Sequence, residues 1–152
     1  MGKITPYIHK VQYYETDQMG IVHHSNYIRW FEEARIDLLE QMGIGYDKIE
    51  KEGIISPVIG VEANYLRMVK FGECVTIEAN IAEYNGIKLI VEYRVIDAET
   101  GMVHCLGVTK HCFLNEKGRP VFLKKKYPEL HKIFMKGMEN NNNKTGNTTS
   151  DN

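Results

Sequence analysis

No stretch of this chain comes near the ~18 consecutive apolar residues that a membrane-spanning helix needs, so no membrane span is expected. Cysteine is scarce. Cys74, Cys105 and Cys112 are too few, and odd in number, for a disulfide framework. They suit a reducing compartment, where thiols serve mostly as small core residues, and a cytoplasmic location is expected. There is no excess of positive charge: 19 Lys and Arg face 20 Asp and Glu, a formal net charge of −1 at pH 7. That balance argues against a general nucleic-acid binder, which would be strongly basic. Neither GxGxxG nor GxxxxGK followed by Ser or Thr occurs, which removes Rossmann and phosphate-loop readings. The first ten residues hold no apolar run, so no signal peptide is expected, and Pro6 breaks the myristoylation pattern that Met1-Gly2 begins. No internal repeat is visible.

What remains is a chain of 152 residues, 43% hydrophobic and 26% charged, which suits one soluble globular domain. A fold of this length buries roughly 70% of its unfolded surface and needs no staple. From Glu139 to Asn152 there is no aliphatic or aromatic side chain. Such a segment buries too little to offset the entropy of ordering it, so residues 139–152 are expected to be a disordered polar tail behind a domain of residues 1–138.

Within the domain the pattern reads strand, helix, then strands. Residues 4–14 are rich in Val, Ile and Tyr and predict a first strand. Ser25 or Asn26 can cap a helix running to about Met42, in which Tyr27, Phe31, Ala34, Leu38 and Met42 form one continuous apolar stripe. Gly43 and Gly45 supply its stop, and a short helix is predicted over residues 46–51. The run 54–68 predicts a strand whose start, at Pro57, is an edge or bulge. Residues 75–81 and 87–95 alternate apolar and polar, with Asn85-Gly86 between them as a hairpin turn in which both residues tolerate positive φ. A further strand is predicted over 102–114, and Pro128 opens a last helix.

The segment Tyr13 to Tyr27, YYETDQMGIVHHSNY, carries the chemistry. It places a carboxylate, Asp17, between a strand end and the start of the long helix, with Gly20 to allow the turn. A helix N-terminus offers free N–H groups to an oxyanion, and a nearby carboxylate can act as base or nucleophile, which is the minimum equipment for acyl transfer. By spacing alone the stronger reading of Asp17 is a solvated turn residue or cap.

The pattern Tyr14-x-x-Asp17-x-x-Gly20-x-Val22-x-His24-x-x-Tyr27 resembles the signature of the 4-hydroxybenzoyl-CoA thioesterase family, and within it the small bacterial acyl-CoA thioesterases encoded with the Tol-Pal system. The likeness extends over residues 8–121 and includes Pro57-Val58, Phe71-Gly72-Glu73 and Gly118-Arg119-Pro120-Val121. It implies an α+β hotdog fold, an antiparallel sheet wrapped around one long central helix. It implies hydrolysis of an acyl-CoA to a free acid and CoA, with Asp17 as nucleophile or base and the main-chain N–H of His24 polarising the carbonyl. Gly20 shapes the site. Tyr27 either lines the acyl pocket or simply packs in the helix stripe. The family's site lies between two subunits, so a homodimer or homotetramer is expected, with Ile59, Gly60 and Val61 of a second copy completing the pocket. Arg67, Lys70 and Lys88 are candidate contacts for CoA phosphates, which a nearly neutral chain must meet with a few local cations. The turn at Asn85-Gly86 departs from the aromatic-acyl members and leaves acyl-carrier protein open beside CoA. A non-catalytic hotdog module that binds an acyl group or acyl-carrier protein is the alternative. No cofactor and no metal is expected.

Three other features read as structural. His104-Cys105 and His111-Cys112 suggest zinc, but residues 105 and 111 share one face of a strand and 104 and 112 the other, so the four cannot converge on one ion. His23-His24 near Asp17 also resembles a metal cluster, yet neighbouring histidines at a helix start are expected to diverge. Glu33 is expected to pair with Arg29 or Arg35 on the helix surface.

Overall fold

The computed structural model describes residues 4–146. Its first strand, β1 (Tyr7–Lys10), leads into a 3-10 turn at Tyr13–Glu15 and then the long helix α1 (Ser25–Gln41). A short helix α2 (Tyr46–Lys51) precedes four strands, β2 (Val58–Tyr65), β3 (Cys74–Tyr84), β4 (Lys88–Asp97) and β5 (Val103–Cys112). Two helices close the chain, α3 (Leu123–Lys126) and α4 (Pro128–Gly146). The strands form one antiparallel sheet in the order β1-β3-β4-β5-β2, so β1 and β2 are its edges. Among the described residues no helix is long and apolar enough to cross a membrane.

The stripe expected on α1 is the stripe it buries. Tyr27, Phe31, Ala34, Leu38 and Met42 are all buried, and Trp30 widens the face. Phe31 stacks on Tyr93 of β4, ring centroids 4.6 Å apart. Gly107 in the middle of β5 makes room for that ring, because a Cβ there would overlap Phe31. Gly107→Ala is therefore expected to displace a stacked, fully buried ring and to lower stability by about 1–3 kcal/mol, read as a lower thermal unfolding midpoint.

Four differences from the expected elements have physical causes. The first strand is short because Val11 N–H already turns to the Glu73 carbonyl, after which Glu15 and Gln12 close a capping box. The strand predicted over 54–68 starts only after Pro57, whose ring nitrogen has no ladder donor. The β3–β4 hairpin is present, but Gly86 alone has positive φ, while Asn85 Oδ1 accepts from Ile87 N and Lys88 N. The last helix continues to Gly146, past the boundary expected at 138, and Asn141 Nδ2 donates to the Ile81 carbonyl at 3.0 Å. Phe134 and Leu130 anchor its packed turns, so the further turns need only propagation and no new nucleus. Residues 147–152 of the expected tail lie outside the described residues. Cys105 is a buried core thiol as expected, whereas Cys74 is exposed.

Candidate functional site

The loop between the 3-10 turn and α1 is a small antiparallel excursion. Thr16 and Val22 form a bridge, Asp17 N–H donates to Ile21 O at 2.9 Å, and Gly20 N–H donates to Asp17 O at 3.0 Å. Gly20 has φ +74°, a region that favours glycine. The loop is pinned on both sides. Val22 N–H donates to Val69 O, and Phe71 N–H donates to Gly20 O. At its base, the Glu15 carbonyl accepts from His23 N–H and from the buried Asn26 side chain, each at 2.8 Å.

The Glu15 side chain anchors this base from below. It is only 4% exposed. Its Oε1 accepts from Gln12 N–H at 2.8 Å and lies 2.8 Å from His9 Nε2, and its Oε2 accepts from Trp30 Nε1 at 2.6 Å. Burial opposes its ionisation, but the bonds from Gln12, His9 and Trp30 prevail and hold the carboxyl below its ordinary range.

Asp17, in contrast, is exposed. Its Oδ1 accepts from Met19 N–H at 2.8 Å and weakly from Ile21 N–H at 3.4 Å, while its Oδ2 accepts no hydrogen bond among the described residues. It lines a cleft of about 290 Å³ together with His24, Tyr27, Tyr65 and Arg67. His24 is the N-cap of α1, and among the described residues its main-chain N–H donates to no protein acceptor. A carboxylate with a free oxygen and the positive end of a 17-residue helix thus share one cleft. Tyr65 donates its hydroxyl to the His24 carbonyl at 3.3 Å, which ties the strand end of β2 to the helix start. Tyr27 packs in the helix stripe and also lines the cleft. It packs on Trp30 at 5.0 Å and faces the cleft with Tyr65. Burial pushes its hydroxyl up to about 12, so it is neutral near pH 7. The Cys105 thiol, pushed up to about 11 by burial, belongs to the core and offers no thiolate.

The remaining candidates lie elsewhere in a single chain. Ile59 and Lys88 line a different cavity, of about 250 Å³, with Lys110 and His111. Gly60 and Val61 sit beside Ile59 on β2, whose outer edge carries no strand partner among the described residues. Arg67 is the candidate cation that reaches the Asp17 cleft, and Lys70 instead bridges Ile21 through its backbone. Two expectations need correction. The rings of His23 and His24 do not diverge but lie 4.2 Å apart, because His23 Nδ1 turns back to Ser25 Oγ at 2.8 Å. Glu33 pairs with neither arginine. Its Oε2 accepts from Tyr7 of β1 at 2.9 Å and lies 3.7 Å from His9, since that helix face is turned toward the sheet edge. Tyr65, Glu15 and the Asn26 side chain were not among the expected site groups. Tyr65 reaches the helix start from β2, and the contacts of Glu15 to His9 and Trp30 and of Asn26 to Glu15 join separate elements, so no local spacing signals them.

A family model for the thioesterase-like superfamily matches residues 11–136. A candidate acyl-CoA thioesterase of Bacillus subtilis, YneP, is 34% identical over 128 residues, which span 84% of this chain and 92% of that protein. The acyl-CoA thioester hydrolase YbgC of Escherichia coli O157:H7 is 24% identical over 116 residues, 76% of this chain and 87% of that one. The crystal structure of a DHNA-CoA thioesterase from Staphylococcus aureus superposes with a TM-score of 0.84 at 31% identity, covering 90% of this chain and 91% of the other. The sheet around a central helix is the hotdog fold these proteins share, and the chain belongs to the thioesterase-like superfamily.

Proposed function

We propose that the protein is an acyl-CoA thioesterase, of the kind found in the small bacterial 4-hydroxybenzoyl-CoA thioesterase branch, and that Asp17 and the start of α1 are its catalytic centre. One observation carries this reading: Asp17, whose Oδ2 accepts no hydrogen bond among the described residues, and His24, whose main-chain N–H donates to no acceptor there, line the same cleft. A thioester carbonyl between them meets a donor on its oxygen and a carboxylate on its carbon side. Asp17 either attacks that carbon or takes a proton from the attacking water. In both routes the C–S bond breaks, and the sulfur leaves as the CoA thiolate and is protonated; after attack by Asp17 water then cleaves the acyl–Asp17 anhydride, whereas in the base route the water itself adds to the acyl carbon and becomes an oxygen of the acid. The helix dipole and the N–H stabilise the negative charge that builds on the carbonyl oxygen. Tyr27, neutral at working pH, lines the acyl end, Gly20 keeps the loop folded, and Arg67 is the cation available to CoA phosphate.

The reading extends to a second copy. In one chain none of Ile59, Gly60, Val61 and Lys88 lines the Asp17 cleft, and the β2 edge that carries three of them is exposed. Ile59 alone is 55% exposed, which is costly for an isoleucine in water. Pairing of β2 edges in a homodimer, or in a tetramer of dimers, covers that surface and delivers those residues to the partner's cleft. The test is thiol release from a panel of short, medium, long and aromatic acyl-CoAs and acyl-carrier-protein thioesters, with mass measured by light scattering in the same buffer. Turnover of at least one acyl-CoA by an oligomer is expected. Binding without turnover across the panel indicates the non-catalytic module, and an active monomer removes the second-copy residues from the site.

A further inference from the structure

Glu73, Asp97 and His104, none of which lines the Asp17 cleft, bring three metal-binding side chains together, with ligand atoms all within 4.8 Å of one another. They come from the residue before β3, the end of β4 and the start of β5, so the sheet itself holds them. His104 is 6% exposed, and its Nε2 has no hydrogen-bond partner. The buried Glu73 Oε2 likewise has none. Asp97 commits Oδ1 to Glu99 N–H and Thr100 N–H, both at 2.9 Å, and turns Oδ2 toward His104 Nε2 at 3.5 Å. On the other side of the ring, His104 Nδ1 faces the Arg67 carbonyl at 3.4 Å. A proton on Nδ1 satisfies that carbonyl and leaves a lone pair on Nε2. In that tautomer the Nε2 lone pair faces the two carboxylates, with Asp97 Oδ2 at 3.5 Å.

We propose that these three residues form a site for one divalent cation of the zinc and manganese class. Two carboxylates and a neutral imidazole suit such ions, and their combined charge of about −2 is neutralised by one of them. Metal–oxygen and metal–nitrogen distances near 2.0–2.2 Å put neighbouring ligands of a tetrahedral site about 3.3 Å apart. The 3.5 Å between Asp97 Oδ2 and His104 Nε2 is close to that edge. The Arg67 carbonyl orients the imidazole from behind, as outer-shell acceptors commonly do. The site also abuts the cleft wall: the His104 carbonyl accepts from Leu66 N–H and Arg67 N–H, so an ion here braces the segment that presents Arg67 to the cleft. The spacing of these residues matches no metal motif.

The experiment uses chelator-treated, desalted protein titrated with Zn²⁺ and with Co²⁺, followed by calorimetry, elemental analysis after desalting and the visible absorption of Co²⁺. One ion per chain is expected, together with a rise in unfolding midpoint of roughly 5 °C or more at a hundredfold excess over Kd. Glu73→Gln and Asp97→Asn are each expected to weaken binding by about 10- to 100-fold or more. Both are isosteric, and asparagine keeps the Oδ1 that caps the Glu99–Thr100 turn. No uptake by the wild-type protein overturns the site and leaves a proton as the occupant of the cluster. Uptake that is equal in the wild type and in the Glu73→Gln/Asp97→Asn double variant overturns it as well, because the ion is then bound elsewhere, as on the His23–His24 pair. Metal content is read without any thioester, so failure here leaves the proposed hydrolysis untouched.

Discussion

Asp17→Asn is expected to lower kcat for acyl-CoA hydrolysis by about 10²- to 10⁴-fold while leaving the thermal unfolding midpoint nearly unchanged. The argument rests on which oxygen does which job. Oδ1 is structural, accepting from Met19 N–H and Ile21 N–H inside the loop. Oδ2 makes no such bond, and Asp17 lines the cleft. Asparagine keeps an oxygen for the loop and places an amide where the base or nucleophile was. Because the position is exposed, the new amide is hydrated rather than buried without a partner, so the fold bears little cost. His24→Ala is the natural comparison. It removes the ring but keeps the main-chain N–H, so a loss well under that of Asp17→Asn is expected. Steady-state thiol release, paired with thermal unfolding of each variant, checks both. Full-rate turnover by Asp17→Asn would move the catalytic carboxylate elsewhere. A single turnover in ¹⁸O-labelled water tests for the covalent route, since label found in Asp17 requires an acyl–Asp17 anhydride opened at the aspartyl carbon, whereas base catalysis labels only the released acid.

The parts of this site that periodicity and turn chemistry report were legible from the residues. The α1 stripe follows from spacings of three and four, and burial of Tyr27, Phe31 and Leu38 confirms it. Alternation along β3 and β4 placed both strands, and Gly20 marked a turn that its positive φ bears out. The limits are equally physical. Asn85-Gly86 signals a hairpin, but how many loop residues there are depends on where strand pairing resumes, so the conformation of Asn85 was not readable. Glu33 has arginines nearby on the helix surface, yet β1 arrives from elsewhere in the sheet and supplies Tyr7 instead. Glu73, Asp97 and His104 meet only because three strand ends coincide. Local pattern predicts which face of an element is apolar. It does not predict which polar groups two distant elements will bring into contact.

Glu15 shows what such a distant contact is worth. Glu15→Gln is expected to destabilise the protein by about 3 kcal/mol near pH 7, more than any exposed substitution in the loop above it. In the folded protein three donors converge on the carboxylate: Gln12 N–H and His9 Nε2 at Oε1, and Trp30 Nε1 at Oε2. Glutamine offers one acceptor oxygen. Its amide must face either the indole N–H or the main-chain N–H, which leaves at least one buried donor against another donor. The pH dependence follows from the direction of the shift. The folded-state pKa lies below the ordinary value of 4.5, so the stabilisation is fully present above about 4.5 and is lost as pH falls through the folded-state value. Once protonated, the acid presents an O–H donor to the same ring of donors and resembles glutamine. The gap between wild type and Glu15→Gln is therefore expected to be full at pH 7 and to narrow toward about pH 3. Denaturant midpoints at the two pH values measure it. A gap of the same size at both would mean that the charge of Glu15 contributes nothing, and that Trp30 and the base of the Asp17 loop are held by packing alone.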